Sequence, residues 1–255
     1  MSDFIGTKLT MNLGERSYDI ILKNGALENL YQFARLDRKV AVVTDSGVPA
    51  EYAQRVADQC RESTIITVPQ GEASKSFKIL ETVLRQMLEF NMGRGDLVVA
   101  VGGGVVGDLA GFAAAIYMRG IDFINCPTTT LSMIDSSIGG KTAVDLEHGK
   151  NQAGCFYQPS LVLCDPSLLN TLPEREYRAG CAEIIKYAML YSEDFLRELE
   201  KTPVREQFER VISVCVGMKR DVVRGDEFDR GQRALLNLGH TVGHAVEACS
   251  GFTLL

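Results

Sequence analysis

The first residues of the chain alternate hydrophobic and polar positions in two short segments. Residues 8–13 and 18–22 both have this period of two, which is typical of strands with one buried face. Gly14, Glu15 and Arg16 lie between them, and glycine tolerates the positive φ that a tight turn requires. The pattern therefore predicts an antiparallel hairpin at the start of the chain.

Two kinds of pattern alternate in the next part of the chain. An amphipathic segment with the period of a helix covers residues 75–90, and runs rich in β-branched residues predict strands. The predicted strands are residues 39–44, 64–68, 96–101 and 123–126. Strands that alternate with helices favour an α/β fold, a Rossmann-like parallel sheet covered by helices.

Beyond residue 172 the pattern changes to that of helices alone. Amphipathic periodicity covers residues 176–191, 193–199, 204–223 and 232–249. We therefore expect an α/β domain at residues 1–172 and an all-α domain at residues 173–255. The last five residues show no closing element, so the helical domain is expected to be incomplete.

Composition and charge exclude some classes of function. Of 255 residues, 45% are hydrophobic and 24% are charged, and the formal net charge is −6. Nucleic acid is not an expected partner, because the chain has no run of Lys or Arg. The start of the chain lacks a signal-peptide pattern, which predicts a cytoplasmic protein.

Two further features favour a buried core over a membrane or a metal-binding knuckle. Residues 97–118 are apolar, but Asp108 and a glycine cluster within them favour a strand, a turn and a helix over a membrane span. The seven cysteines have neither zinc-knuckle nor disulfide spacing. We expect them to be reduced thiols in the core.

A glycine-rich turn follows the predicted strand at 96–101. Residues 102–108 read Gly-Gly-Gly-Val-Val-Gly-Asp, which satisfies the GxGxxG pattern of dinucleotide-binding loops. Glycines would let the backbone approach a pyrophosphate at the start of the next helix, predicted at 109–118. The acidic residue that usually ends the following strand is missing, since that strand runs into Pro127. The segment is either a dinucleotide-binding turn or a turn whose glycines serve only close packing.

A second glycine-rich turn, Gly139-Gly140-Lys141-Thr142, resembles the end of a P-loop. A P-loop requires glycine where this chain has Asp135, whose carboxylate would repel the phosphates. An NTPase is therefore disfavoured. Asp135 and Lys141 within one turn favour contact with a ligand, and an ordinary surface turn is the alternative.

Two candidate constellations lie in the helical part. His240 and His244 share a helix face at i and i+4, as two ligands of one divalent metal would, or as a hydrogen-bonded pair of core histidines. Glu183 and Lys186, at i and i+3, form either a surface ion pair or part of a site. Apolar neighbours favour the site, because a buried ion pair is costly without another role. The third histidine, His148, lies in a turn-like stretch and is expected to be solvated.

Taken in order, several motifs resemble the 3-dehydroquinate synthase family. They are residues 102–108, 119–120, 127–129, 135–143, 149–151, 156–159, 183–187 and 233–241. The resemblance implies a lyase that converts 3-deoxy-D-arabino-heptulosonate 7-phosphate to 3-dehydroquinate and phosphate, the second step of the shikimate pathway. It implies transient oxidation by NAD, β-elimination of phosphate, re-reduction and intramolecular aldol closure.

The resemblance also assigns roles to individual residues. For NAD it implies Asp45, Glu72, Lys75, Gly103, Gly104, Asp108, Thr128, Thr129, Lys141 and Lys150. For zinc or cobalt it implies Glu183 and His240. For catalysis it implies Asp135, Lys141, Asn151, Lys186 and His244. For contact with the phosphorylated seven-carbon sugar acid it implies Arg119, Lys219, Arg233 and Asn237.

The family's third zinc ligand is a histidine beyond the residues present here. We therefore expect this chain to bind NAD, to hold zinc weakly and to make no dehydroquinate. The alternatives are an NAD- and metal-dependent polyol dehydrogenase, a sugar-phosphate cyclase of secondary metabolism, and a non-catalytic NAD-binding fragment. No membrane partner is expected, and a homodimer is left open.

Overall fold

A seven-stranded sheet forms the centre of the fold in the computed structural model, which describes residues 6–249 without the side chains of residues 244, 247 and 248. The sheet has the order β1-β2-β9-β6-β5-β3-β4, and β7 pairs with β8 in a separate hairpin. All neighbours in the sheet are parallel except β1 and β2. The strands are β1 Thr7–Met11, β2 Tyr18–Leu22, β3 Lys39–Asp45, β4 Glu62–Val68, β5 Leu97–Gly102, β6 Asp122–Pro127, β7 Lys141–Leu146, β8 Gly149–Phe156 and β9 Leu161–Cys164.

Helices cover both faces of the sheet. They are α1 Ala50–Ala57, α2 Phe77–Glu89, α3 Gly104–Ile116, α4 Glu174–Tyr191, α5 Glu193–Lys201, α6 Phe208–Gly225 and α7 His240–Cys249. One face of β3, with Val40 and Val42, joins a core shared with α1, α4 and α6, and the other, with Ala41 and Val43, joins α2 and α3. Every residue of β5 is buried, as expected for a parallel strand covered on both sides.

The chain reverses its direction of travel across the sheet between β3 and β5. From β3 it first adds β4 on one side and then β5, β6 and β9 on the other. The carboxyl ends of β3 and β5 therefore flank a crevice, the place where open α/β sheets bind ligands. The glycine-rich turn begins at the end of β5, and Asp45 ends β3.

The predicted parallel α/β sheet, opening hairpin and strands are confirmed. Gly14 has φ +65°, the conformation for which glycine was invoked. No helix among residues 6–249 is long and apolar enough to cross a membrane. The last strand ends at Cys164, and α4 begins at Glu174, but a domain boundary after residue 172 stays a prediction.

Several elements differ from the sequence-based expectation. Strand β9 and the β7–β8 hairpin had not been predicted, and the hairpin follows directly from Gly140. The predicted helix at 232–249 divides into a 3₁₀ turn, Gln232–Asn237, and α7, because Gly239 has φ +82°. The cysteines in the described part are free, but Cys155 and Cys249 are exposed, so placing all seven in the core was wrong.

Candidate active site

The glycine-rich turn brings the backbone of α3 close to its neighbours. A Cβ atom on Gly102 would lie 2.6 Å from Cβ of Val106, and one on Gly107 would lie 2.9 Å from Nδ2 of Asn125. These two glycines therefore serve close packing. Gly103 precedes the first turn of α3, where helical N–H groups lack partners within the helix and can meet an anion. Close packing therefore explains Gly102 and Gly107, and dinucleotide binding at Gly103 stays a prediction.

Asp45 shapes the loop that leaves β3. Its Oδ1 atom accepts hydrogen bonds from the backbone N–H groups of Gly47 at 2.7 Å and Val48 at 3.2 Å. The neighbouring strand β5 ends in the glycine-rich turn, so Asp45 lies across the crevice from Gly103. This is the position predicted for a carboxylate that binds a ribose.

A buried lysine joins the glycine-rich helix to the β7–β8 hairpin. The Nζ atom of Lys75 lies 2.8 Å from Oδ2 of Asp108 and also donates to Oδ1 of Asn151. Burial raises the pKa of Asp108 to about 6, against the opposing charge of Lys75. Glu72, Lys75, Lys150 and Asn151 line a cleft of about 990 Å³ here, so four of the predicted residues share one wall.

A second cleft of about 550 Å³ adjoins the first, because Asn151 and Gln152 line both. Eight of the predicted site residues line this second cleft. They are Asp108, Asp135, Lys141, Asn151, Lys219, Arg233, Asn237 and His240. The adjoining clefts thus bring predicted substrate residues close to part of the predicted dinucleotide set, whereas Asp45, Gly103, Gly104, Thr128 and Thr129 line neither cleft.

Asp135 lies in a π-helical turn, Ser132–Ser136, and is the anionic centre of the second cleft. Its Oδ1 atom accepts hydrogen bonds from Lys219 Nζ at 2.5 Å and from the Tyr187 hydroxyl at 2.7 Å. Burial alone would raise the pKa of Asp135, but the ammonium group of Lys219 outweighs it and holds this pKa well below its ordinary value. Asp135 is therefore ionised at neutral pH.

Two further cations face the same cleft. Arg233 is 2% exposed and donates to the carbonyl oxygens of Glu227 at 2.7 Å and Gly139 at 3.3 Å. A Cβ atom on Gly139 would lie 2.4 Å from Nη2 of Arg233, so a larger residue at position 139 would require the guanidinium to move. Lys141 lies at the exposed rim and forms an ion pair with Asp229.

The predicted metal ligands lie together with Lys186. Oε1 of Glu183 is 3.3 Å from Nε2 of His240. The ammonium group of Lys186 contacts the Glu183 carboxylate and lies 3.3 Å from the same Nε2 atom. A cation thus already occupies the space between a carboxylate and an imidazole, donor types that suit zinc or cobalt.

The described residues contain no group of three His, Cys, Asp or Glu side chains that could hold a metal. Glu183 and His240 as metal ligands stay a prediction. The side chain of His244, which was predicted to handle protons, lies outside the described residues.

Arg119 is placed apart from the other predicted residues. It lies in the connection from α3 to the amino end of β6, whereas the glycine-rich turn lies at the carboxyl end of β5. Arg119 is exposed and lines neither cleft of this chain. Its predicted contact with substrate stays a prediction. His148 is exposed between β7 and β8, as expected.

Two residues of the site were missed from the sequence. Tyr187 follows Glu183 by one helical turn, so its spacing could have identified it. Asp229 has no motif and reaches Lys141 only through the packing of α6 against the sheet.

Comparison with known proteins identifies the family. A model of the 3-dehydroquinate synthase N-terminal region matches residues 65–179, and a model of the C-terminal region matches residues 180–255. The 3-dehydroquinate synthase of Pelobacter propionicus is 45% identical over 97% of this chain and 72% of that protein.

Solved structures with the same fold include two sugar-phosphate cyclases. 2-Deoxy-scyllo-inosose synthase complexed with carbaglucose-6-phosphate, NAD⁺ and Co²⁺ has a TM-score of 0.87 at 27% identity, over 98% of this chain and 72% of that one. 2-Epi-5-epi-valiolone synthase from Streptomyces hygroscopicus with NAD⁺ and Zn²⁺ has a TM-score of 0.86 at 29% identity, over 96% and 71%.

The alternative of a polyol dehydrogenase has weaker support. Glycerol dehydrogenase from Schizosaccharomyces pombe has a TM-score of 0.55 at 19% identity, over 78% of this chain and 58% of that one, and this likeness shows the fold alone. The identity to Pelobacter propionicus 3-dehydroquinate synthase extends through both matched regions and nearly the whole sequence. The chain therefore belongs to the 3-dehydroquinate synthase family.

Proposed function

We propose that the two adjoining clefts perform the 3-dehydroquinate synthase reaction, with NAD⁺ in the first and the phosphorylated seven-carbon sugar acid in the second. The observation that carries this proposal is the wall they share at Asn151 and Gln152. A dinucleotide and a sugar phosphate bound on either side would have their reacting atoms adjacent. The cyclase solved with both kinds of ligand supports the same pairing.

The proposed NAD site combines the first cleft with the carboxyl ends of β3 and β5, since Asp45 and Gly103 line neither cleft themselves. Asp45 would bind a ribose hydroxyl, and the N–H groups after Gly103 would bind the pyrophosphate. Lys75 is fixed by Asp108 and Asn151, so it is held in place before a ligand arrives. Glu72, Gly104, Thr128, Thr129 and Lys150 complete the proposed NAD set.

The second cleft offers one anion among cations. Ionised Asp135 can accept a hydrogen bond from a substrate hydroxyl. Lys219, Arg233 and Lys141 supply positive charge for the carboxylate and phosphate of the substrate, and the guanidinium of Arg233 can bind either group through two hydrogen bonds. Asn151 and Asn237 would orient hydroxyl groups.

Glu183 and His240 would hold zinc or cobalt, with Lys186 moved aside. When bound, NAD⁺ would accept and return a hydride and the metal would polarise the hydroxyl being oxidised. Since Lys186 lies beside both proposed ligands, its ammonium group would then be available to the substrate. The role of His244 in proton transfer stays a proposal.

Calorimetry on the full chain tests these assignments separately. We expect NAD⁺ to bind, and we expect Asp108→Asn, which releases Lys75, to weaken NAD⁺ binding more than substrate binding. Lys141→Ala should weaken binding of 3-deoxy-D-arabino-heptulosonate 7-phosphate by roughly tenfold or more. Lys8→Ala, at an exposed ion pair on β1, is the matched control for the lysine variant. Absence of NAD⁺ binding at millimolar concentration by folded chain would refute the proposal.

A phosphate-release assay with NAD⁺ and Co²⁺ separates the remaining alternatives. Phosphate release without net NADH indicates the synthase, whereas NADH accumulation with glycerol indicates a polyol dehydrogenase. NAD⁺ binding with neither product would indicate the non-catalytic fragment and would refute the proposed reaction for this chain. The mass of the chain in solution tests for the homodimer that the sequence leaves open.

A further inference from the structure

The loop between α6 and the 3₁₀ turn at 232–237 lies over the second cleft and is held by its own hydrogen bonds. The carboxylate of Asp226 accepts from the backbone N–H groups of Arg230 at 2.8 Å and Gly231 at 2.7 Å. Glu227 accepts from Arg16 at 2.8 Å and from Gln158 at 3.0 Å. These contacts fix the loop on both sides of Asp229.

Asp229 is directed from this loop into the cleft. Its backbone has φ +54°, in the left-handed region that few residues other than glycine adopt. Its Oδ2 atom is paired with Lys141, and its buried Oδ1 atom has no hydrogen-bond partner among the described residues. The side chain of Asp229 is 18% exposed and that of Lys141 is 51% exposed, so the pair closes the outer rim of the cleft.

The three cations of the cleft differ in the groups that already bind them and in their exposure to solvent. Lys219 pairs with Asp135 deep in the cleft, and Arg233 donates to main-chain carbonyl oxygens. Lys141 is the cation nearest solvent, where an incoming anion would meet it first. A carboxylate already at its ammonium group would repel a phosphate or carboxylate that approaches the same group.

We propose that Asp229 is an internal anion that an anionic group of the substrate displaces from Lys141. This inference rests on the proposed function, which brings a phosphate and a carboxylate into the cleft. Asp229 acts through Lys141 and is a positioning residue. It holds Lys141 at the rim in the ligand-free chain, and it lowers affinity for anions that cannot displace it.

Inorganic phosphate is the probe, titrated into the full chain by calorimetry at low and at physiological ionic strength. Asp229→Asn keeps the shape of the side chain, tolerates positive φ and removes the charge. We expect it to bind phosphate roughly three- to tenfold more tightly, with the larger effect at low salt. Glu227→Gln removes a carboxylate from the same loop without touching Lys141, and it should change phosphate affinity less than twofold.

Repeating the titration in the Lys141→Met variant tests whether the effect depends on the ion pair between Asp229 and Lys141. In Lys141→Met, Asp229→Asn should no longer increase phosphate affinity, and Asp229→Glu should restore the parental affinity in the otherwise unchanged chain. Unchanged or weaker phosphate binding by Asp229→Asn overturns the inference, as does binding by neither this variant nor the parent. If Lys141→Met binds phosphate as the parent does, the proposed role of Lys141 in the reaction fails instead.

Discussion

The side-chain nitrogen of Lys186 lies 3.3 Å from Nε2 of His240 and contacts the carboxylate of Glu183. One ammonium group therefore contacts both proposed metal ligands, which also contact each other at 3.3 Å. Lys186 also donates to the carbonyl oxygen of Leu236 at 2.6 Å, which gives it a second place to remain when a metal enters.

A divalent cation must displace this ammonium group before it can contact both ligands. Lys186→Met keeps the aliphatic stem and removes the competing charge, so we expect affinity for Co²⁺ to rise by roughly fivefold or more. Calorimetry with cobalt chloride at neutral pH measures this affinity in the parent and in the variant. Lys201→Met, at the exposed end of α5, serves as the control. Equal or lower cobalt affinity in Lys186→Met would show that the lysine helps to hold the metal.

Ionisation of the Asp108 carboxyl group should lower the free energy of unfolding as pH rises through mildly acidic values. Burial raises its pKa from 3.8 to about 6, so the folded chain binds this proton more tightly than the unfolded chain. The resulting stabilisation is fully present below about pH 4, the unfolded pKa, and is lost as pH rises through about 6, a total change of about 3 kcal/mol.

Urea unfolding of the parent and Asp108→Asn at pH 4.5 and pH 7 isolates this change. We expect Asp108→Asn to gain stability relative to the parent by about 2 kcal/mol across that interval. Because Asp135 has a lowered pKa, it contributes in the opposite direction and below this range. A difference between the two proteins that does not vary with pH would contradict the assignment.

The Tyr187 hydroxyl group donates to a buried carboxylate. Tyr187→Phe removes this donor from Asp135, so we expect the free energy of unfolding to fall by about 1–3 kcal/mol and the pKa of Asp135 to rise. Tyr191→Phe is the matched control, one turn along α4 with its ring centroid 6.3 Å away. Equal losses in both variants would show that the hydroxyl group of Tyr187 contributes nothing specific.

Replacing Gly139 by alanine should lower the stability of the chain for two reasons, backbone strain and displacement of Arg233. Its φ is +97°, and a Cβ atom would lie 2.4 Å from Nη2 of Arg233. Gly14 has φ +65° with open space around it, so Gly14→Ala measures strain alone, about 1–2 kcal/mol. We expect Gly139→Ala to lose more stability than Gly14→Ala and to weaken substrate binding, as calorimetry would show. Equal losses would mean that Arg233 moves aside without cost.

The central sheet was predictable because its residues are buried on both faces. Strand β5, for example, contains only apolar residues before its glycine. A run of this kind is typical of a parallel strand that is covered on both faces. The β7–β8 hairpin was not predictable in the same way. It lies on α3 outside the sheet, and β8 is largely exposed, so its sequence has no alternation of hydrophobic and polar residues.

The site was predictable where its residues lie within motifs and not where they depend on tertiary packing. Glu183 and Lys186 are neighbours on one helix, and their spacing alone places them together. Asp229 and Lys141 are 88 residues apart, and only the position of α6 joins them. Arg119 lies in a recognisable motif, but it precedes the amino end of β6, whereas the glycine-rich turn follows the carboxyl end of β5.

The β7–β8 hairpin extends between both clefts, with Lys141 at its start and Asn151 beside Lys75. A ligand in either cleft that shifts this hairpin therefore changes the free energy of binding in the other. Such coupling is reciprocal. If bound dinucleotide raises the affinity for substrate by some factor, bound substrate raises the affinity for dinucleotide by the same factor. Each ligand would then bind more tightly to the chain that already holds the other, by the same factor in either order of addition.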